Sequence, residues 1–276
     1  MHAHDRTGGP SVEVHRCRVC GIGFADADDG APAATTELPA GGFARRVADA
    51  ILWGELRPVR SAIAPGARIL DIGGGGGNRG LVLAEHGYRV EVVEPDPDEA
   101  AHARSQLAGR ATVHESTVED LPGDVGGYDA ALFSHVVEHL PDPEAALAAT
   151  RLRLRPGGHI IVMVPNAGGL EARLFRGRWH GWEPSRHRWH FRRAVLADVM
   201  RAAGFEDVGV RATGGWRYPS TLTFSIAPGI DPQISPQWAS AGRATSVLLV
   251  PLARLIAATG QGAQLVAVGR APGGEG

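Results

Sequence analysis

The chain has 276 residues, 43% hydrophobic and 21% charged, enough for one large soluble domain with appendages. Its basic residues other than histidine are all arginine, and they nearly balance the acids; the formal net charge of −2 excludes a global field that would recruit nucleic acid or an anionic membrane. The longest apolar run, 247–253 and on past Arg254 to 258, is too short to span a membrane, and the first twenty residues lack a signal-peptide core, so the expectation is a cytoplasmic protein with no membrane span.

Residues 1–42 read as an arm rather than packed core, with Gly8-Gly9-Pro10, the acidic Asp26-Ala27-Asp28-Asp29 and Ala/Pro/Gly-rich sequence beyond. The arm carries Cys17-Arg18-Val19-Cys20-Gly21, which holds the only two cysteines of the sequence. C-x-x-C before glycine is a knuckle that presents two thiolates to zinc, whereas a structural site wants four ligands. His15, His4, His2 or a second chain could complete it; reduced spectator thiols and a disulfide are the alternatives. Residues 43–66 form a helical preface, because Phe43, Val47, Ile51, Leu52 and Leu56 recur at three- to five-residue spacing before Pro58 and Pro65.

From residue 68 strands and helices alternate, the signature of a parallel sheet with crossovers. Strands are expected at 68–72, 88–93, 111–114, 128–133 and 159–164, and helices at 78–86, 97–107 and 143–154, the last stopped by Pro156-Gly157-Gly158. The alternation breaks at 166–191, which is rich in Trp, Arg and His. A helix over 192–203 and a strand over 205–211 follow. A long irregular insert, 212–262, precedes the final strand at 263–268. The apolar stretch at 247–258, which Arg254 interrupts and in which Pro251 sits, reads as one amphipathic helix lying on the body or at a dimer interface.

Chemistry concentrates where the first strand ends. Asp71 leads into five glycines, 73–77, and then a helix begins. Glycine lets the backbone turn sharply and admits a ligand where a Cβ would block it. The helix start aims unpaired N–H groups at the same point, implying a carboxylate or phosphate on the ligand. The run fits both the dinucleotide pattern G-x-G-x-x-G at 75–80 and D-x-G-x-G-x-G at 71–77. Glu94, at the end of the second strand, can accept both hydroxyls of an adenosine ribose, a feature common to NAD and S-adenosylmethionine proteins.

Further motifs follow in order: Ser116-Thr117-Val118-Glu119-Asp120-Leu121-Pro122, Tyr128-Asp129, Glu138-His139-Leu140-Pro141-Asp142-Pro143, Leu154-Arg155-Pro156-Gly157-Gly158, Val164-Pro165-Asn166, Pro184-Ser185-Arg186-His187 and Ala203-Gly204-Phe205. This series resembles class I S-adenosylmethionine-dependent methyltransferases of the ubiquinone-biosynthesis-like, small-molecule group over about 68–211, and more loosely in the Cys-x-x-Cys arm. The resemblance implies a doubly wound, mostly parallel seven-stranded α/β sheet in the order 3-2-1-4-5-7-6, with strand seven antiparallel, across a methyltransferase domain at 67–276. It implies that Asp71, Gly73, Gly75 and Gly77 hold the methionine end of the cofactor, that Glu94 holds the ribose, that Thr117 and Val118 border the adenine, and that His135 lies beside the sulfonium.

Methyl transfer is an in-line displacement from an activated sulfonium, so the protein mainly aligns the nucleophile. An oxygen nucleophile gains from a general base, and histidine suits neutral pH. His139, after the fourth strand, and His187, on the aromatic segment that folds over the site as a lid, are the candidates. The expected acceptor is a small molecule, through oxygen ahead of nitrogen or carbon, with no nucleic acid and with room for a homodimer. An NAD-dependent oxidoreductase and a non-catalytic cofactor-binding partner protein are the rival readings.

Overall fold

A computed structural model of the protein describes residues 2–3, 12–25, 41–214, 219–228 and 239–273. His4 of the arm, the acidic 26–29 stretch and part of the 212–262 insert lie outside these residues. The body is one seven-stranded sheet: β1 (Arg68–Ile72), β2 (Arg89–Val93), β3 (Thr112–His114), β4 (Tyr128–Ser134), β5 (Leu154–Pro165), β6 (Glu206–Thr213) and β7 (Gln264–Arg270). From one edge to the other the order is β3-β2-β1-β4-β5-β7-β6. The first five strands run parallel, and β7 is antiparallel to both β5 and β6. Among the described residues, helices α1 (Gly42–Glu55), α2 (Arg57–Ala62), α3 (Asn78–Glu85), α4 (Pro97–Leu107), α5 (Pro143–Arg153), α6 (Leu170–Phe175), α7 (Arg193–Ala202), α8 (Pro219–Ile226), α9 (Ala239–Leu248) and α10 (Val250–Ala258) surround it.

Both faces of the sheet are covered, so its strands are near-continuous apolar runs. Phe133, Ile160 and Val162 pack with Leu147 of α5 and Leu196 of α7 on one face. Ile69, Leu132 and Ile161 pack with Leu56, Leu81 and Leu107 on the other. The alternation Ile160/Ile161 is the period-two geometry of a strand read from two sides. Local signals set the helix starts. The Asp96 side chain accepts from the Asp98 and Glu99 amides, Asp142 accepts from Ala145, and Pro97 and Pro143 occupy first-turn positions where no N–H is needed.

Four features differ from expectation. Leu154 belongs to β5 rather than α5, and Pro156-Gly157-Gly158 forms a break in register within the strand pair, since Tyr128 faces Leu154 but Ala130 faces His159. The 212–262 insert is not irregular throughout: it holds α8, α9 and α10. The 247–258 run is two helices, because Pro251 sits in the first turn of α10 and needs a new helix start after Leu249. Within the arm, His15–Arg16 and Gly23–Phe24 form a hairpin whose second strand pairs with Trp189–His190, and the Ala25 amide donates to the Arg188 carbonyl. Val14 and Ala25 pack there with Trp179 and Trp182, so the described part of the arm is stitched onto the 166–191 segment.

Candidate active site

The site lies at the carboxyl edge of β1, β2 and β4. Gly73, Gly75 and Gly77 have φ of +63°, +53° and +84°, values that favour glycine. Space demands it as well: a Cβ on Gly73 would come 2.6 Å from Val136, and one on Gly74 2.5 Å from Val92. The turn is pinned from below, where the Gly73 and Gly74 amides donate to the Val93 carbonyl. Glu94 is buried beside it; its Oε2 accepts from the Gly75 amide at 2.8 Å and its Oε1 from the Asp96 amide at 3.0 Å. The sequence placed Glu94 after β2 but gave no sign that the carboxylate also braces the glycine turn.

Asp71 sits fully buried beneath the turn, and its Oδ2 has no hydrogen-bond partner. Burial raises its carboxyl to about 6; the Arg79 guanidinium opposes this and the Glu94 charge reinforces it. Burial likewise raises Glu94, against the two amides that hold it. Of the two residues expected at the adenine, Val118 is buried, whereas Thr117 is exposed with its hydroxyl donating to Asp120 at 2.8 Å.

The loop after β4 carries the reactive side chains. His135 adopts φ of +60°, and its amide donates to the Met163 carbonyl. Its Nδ1 lies 3.1 Å from Glu138 Oε1 and its Nε2 3.2 Å from the Gln264 amide nitrogen. Glu138 is 0% exposed, and its Oε2 has no hydrogen-bond partner. Burial alone would push this carboxyl up; the hydrogen bond from His135, with the charges of His135 and His139, outweighs burial and holds it below the usual range. His139 Nδ1 is 2.9 Å from the Arg186 carbonyl, and His187 Nδ1 is 3.2 Å from the Gly181 carbonyl. A carbonyl accepts only, so each ring donates from Nδ1; His187 is buried, with its Nε2 3.7 Å from Glu183 Oε2. The two imidazoles stand 4.8 Å apart, and one ligand atom each from Glu138, His139 and His187 lies within 4.8 Å of the others. Such a grouping can share a proton or hold a cation.

The structure thus brings His135, His139 and His187 together, and places Glu138, Gln264 and Arg186 among them. Glu138 stood in a sequence motif; Gln264, 129 positions from His135, left no local signal. His190 borders the group, its ring 6.4 Å from that of His187; it is buried against Trp182, and burial lowers its imidazole to about 4. Trp179, Trp182 and Phe191 face inward rather than into solvent. Cys17 and Cys20 are free thiols on the hairpin, remote from these groups in sequence. Amides of Cys20 and Val19 aimed at the Cys17 sulfur lower its thiol. Of the proposed partners His15 stacks on Phe24, and no group of three or more metal-binding side chains among the described residues includes the two cysteines.

Residues 44–210 match the family described as methyltransferase domain. Among curated relatives, a ubiquinone biosynthesis O-methyltransferase of Marinobacter nauticus is 29% identical over 186 residues, spanning 60% of this chain and 74% of that one. One of Xanthomonas axonopodis pv. citri is 33% identical over 175 residues, 57% and 71% of the respective chains. A solved SAM-dependent methyltransferase from Thermotoga maritima superposes with a TM-score of 0.54 at 23% identity, over 81% of this chain and 91% of that one. Haemonchus contortus phosphoethanolamine N-methyltransferase 2 does so with a TM-score of 0.54 at 17% identity, over 84% and 53%. These two likenesses speak to the fold alone.

Proposed function

The chain belongs to the methyltransferase-domain family and is an S-adenosylmethionine-dependent methyltransferase; we propose that it methylates an oxygen of a small-molecule acceptor, with His139 as general base. The observation that carries this reading is the pair of imidazoles with fixed Nδ1–H bonds beside the ionised, fully buried Glu138. The O-methyltransferase relatives favour oxygen as the acceptor atom.

The cradle fits the cofactor. The left-handed glycine turn after β1 suits the homocysteine end, and the buried Asp71 carboxyl, with its unpartnered Oδ2, suits an ammonium group. Glu94 suits the ribose, and Gly73, Gly75 and Gly77 keep Cβ atoms away. When bound, S-adenosylmethionine supplies a methyl group on an already activated sulfonium. His139 Nε2 takes the acceptor hydroxyl's proton as the oxygen–methyl bond forms. Glu138 then lies close enough to stabilise the imidazolium. Trp179, Trp182, His187 and Phe191 of the 166–191 segment are buried and limit water at this edge.

Calorimetry with S-adenosylhomocysteine and methyl-transfer assays on hydroxylated and amine acceptors test the reading. Binding of the product with turnover only of hydroxylated acceptors is expected; turnover of amines alone would overturn the oxygen assignment. At the arm, the amides gathered around Cys17 support zinc held by Cys17 and Cys20, with ligands from outside the described residues or from a second chain. Metal analysis of the wild type against Cys17→Ser/Cys20→Ser decides that: equal metal content would remove the claim.

A further inference from the structure

His139 stands on the loop between β4 and α5. At its start the loop is tied to β5 by the His135 amide, which donates to the Met163 carbonyl, and within itself by the His139 amide, which donates to the Val136 carbonyl. Three further bonds reach it from one short stretch, 186–189. The Trp189 amide donates to the Glu138 carbonyl at 3.1 Å, and the Trp189 indole donates to the Leu140 carbonyl at 2.7 Å. The Arg186 carbonyl accepts from His139 Nδ1 at 2.9 Å. These bonds fall on residues 138, 139 and 140 in turn, so the backbone on both sides of His139 is held as well as its ring. Two of the three come from Trp189.

Trp189 is itself braced from behind. It pairs with Phe24 of the arm, its neighbour His190 pairs with Gly23, and the Arg188 carbonyl accepts from the Ala25 amide. The Trp189 side chain and Ile22 of the arm both pack against the cluster that holds Phe133, Val137 and Leu147. One face of this strand therefore carries the arm, and the other carries the reactive loop. The cradle at Asp71, Gly73, Gly75, Gly77 and Glu94 is built without any of these bonds. Position matters to a base more than to a scaffold: a misplacement of about 1 Å at a reacting group can cost about 10²-fold in rate.

We infer that Trp189 is a positioning residue for His139: its amide and indole N–H groups hold the Glu138 and Leu140 carbonyls and so fix where His139 Nε2 meets the acceptor hydroxyl. This rests on the reading of His139 as the general base.

Kinetics on the full chain, with S-adenosylmethionine and a hydroxylated acceptor, test it. Trp189→Phe keeps a ring against the core and removes the indole donor. Benzothienylalanine at the same position keeps the tryptophan shape with sulfur in place of the N–H, so it isolates the lost bond from any change of packing. Both are expected to lower kcat by about tenfold to a hundredfold, with acceptor KM and S-adenosylhomocysteine affinity close to the wild type's. In a His139→Gln background the same changes should cost nothing further, because effects routed through one group do not add. A benzothienylalanine protein with wild-type kcat would overturn the inference, as would an equal loss of turnover with and without His139, the mark of a role in folding alone. Near-normal turnover by His139→Gln itself would remove the base assignment, and the inference with it.

Discussion

Asp71 sets a pH dependence that can be measured. Its carboxyl is raised from the ordinary 3.8 to about 6 in the free protein. An ammonium group needs the ionised form, so binding draws the proton off. Affinity for S-adenosylhomocysteine is therefore expected to hold between pH 8 and 7 and to fall as pH drops below about 6. Asp71→Asn should weaken binding throughout and flatten that dependence; calorimetry across the range checks both. His139→Gln should lower turnover by about 10²–10⁴-fold while leaving product binding intact. If turnover of His139→Gln stays near normal, the proton goes elsewhere and His187→Gln becomes the variant to assay.

At the scale of elements, the hairpin of the arm and the Trp189–His190 strand act as one unit. The Trp189 amide donates to the Glu138 carbonyl and its indole to the Leu140 carbonyl at 2.7 Å, so the same strand holds the reactive loop on its other side. A Cβ at Gly23 would stand 3.0 Å from His190 Cβ, and His190 is buried and unable to yield. Gly23→Val should cost about 1–3 kcal/mol in chemical denaturation and should speed proteolysis within 170–190. On the opposite side of that segment, Glu171 is 2% exposed and accepts from the Thr221 hydroxyl of α8 at 2.6 Å. Burial raises its carboxyl from 4.5 to about 7, so its contribution to stability falls as pH rises through that interval. Glu171→Gln keeps an acceptor for Thr221 and removes the buried charge. Its thermal midpoint at pH 8 should exceed the wild type's by about 2–4 °C, with the gap closing at pH 5.

Acid should loosen the molecule as a whole, through groups of opposite kind to Glu171. Glu91 accepts from His114 at 2.8 Å and from Arg68 at 3.0 Å, and these partners hold its carboxyl below 4.5 although burial opposes them. Its stabilisation is present above 4.5 and is lost as pH falls through the lowered value. His190, lowered from 6.5 to about 4, stays neutral in the fold while the unfolded chain takes up a proton, so stability falls between those values as well. Denaturant midpoints should decline from pH 6.5 to 4; His190→Phe should flatten the upper part of that decline, and an unaltered slope would show that His190 is not its source.

By itself the sequence determined the strand–helix alternation, the glycine turn with Asp71 before it and Glu94 after β2, and the order of motifs that marks the family. These are local matters: period, turn chemistry and spacing act over a few residues and survive being read in one dimension. Tertiary structure decided the rest. Which histidine touches which group depended on Gln264 arriving from the last strand, and on Arg186 and Gly181 offering carbonyls. The inward packing of Trp179 and Trp182 depended on Val14 and Ala25 of the distant N-terminal arm lying against them. Such contacts join residues far apart in sequence, and no local pattern carries them, because burial and hydrogen bonding are properties of the assembled edge rather than of either strand that forms it.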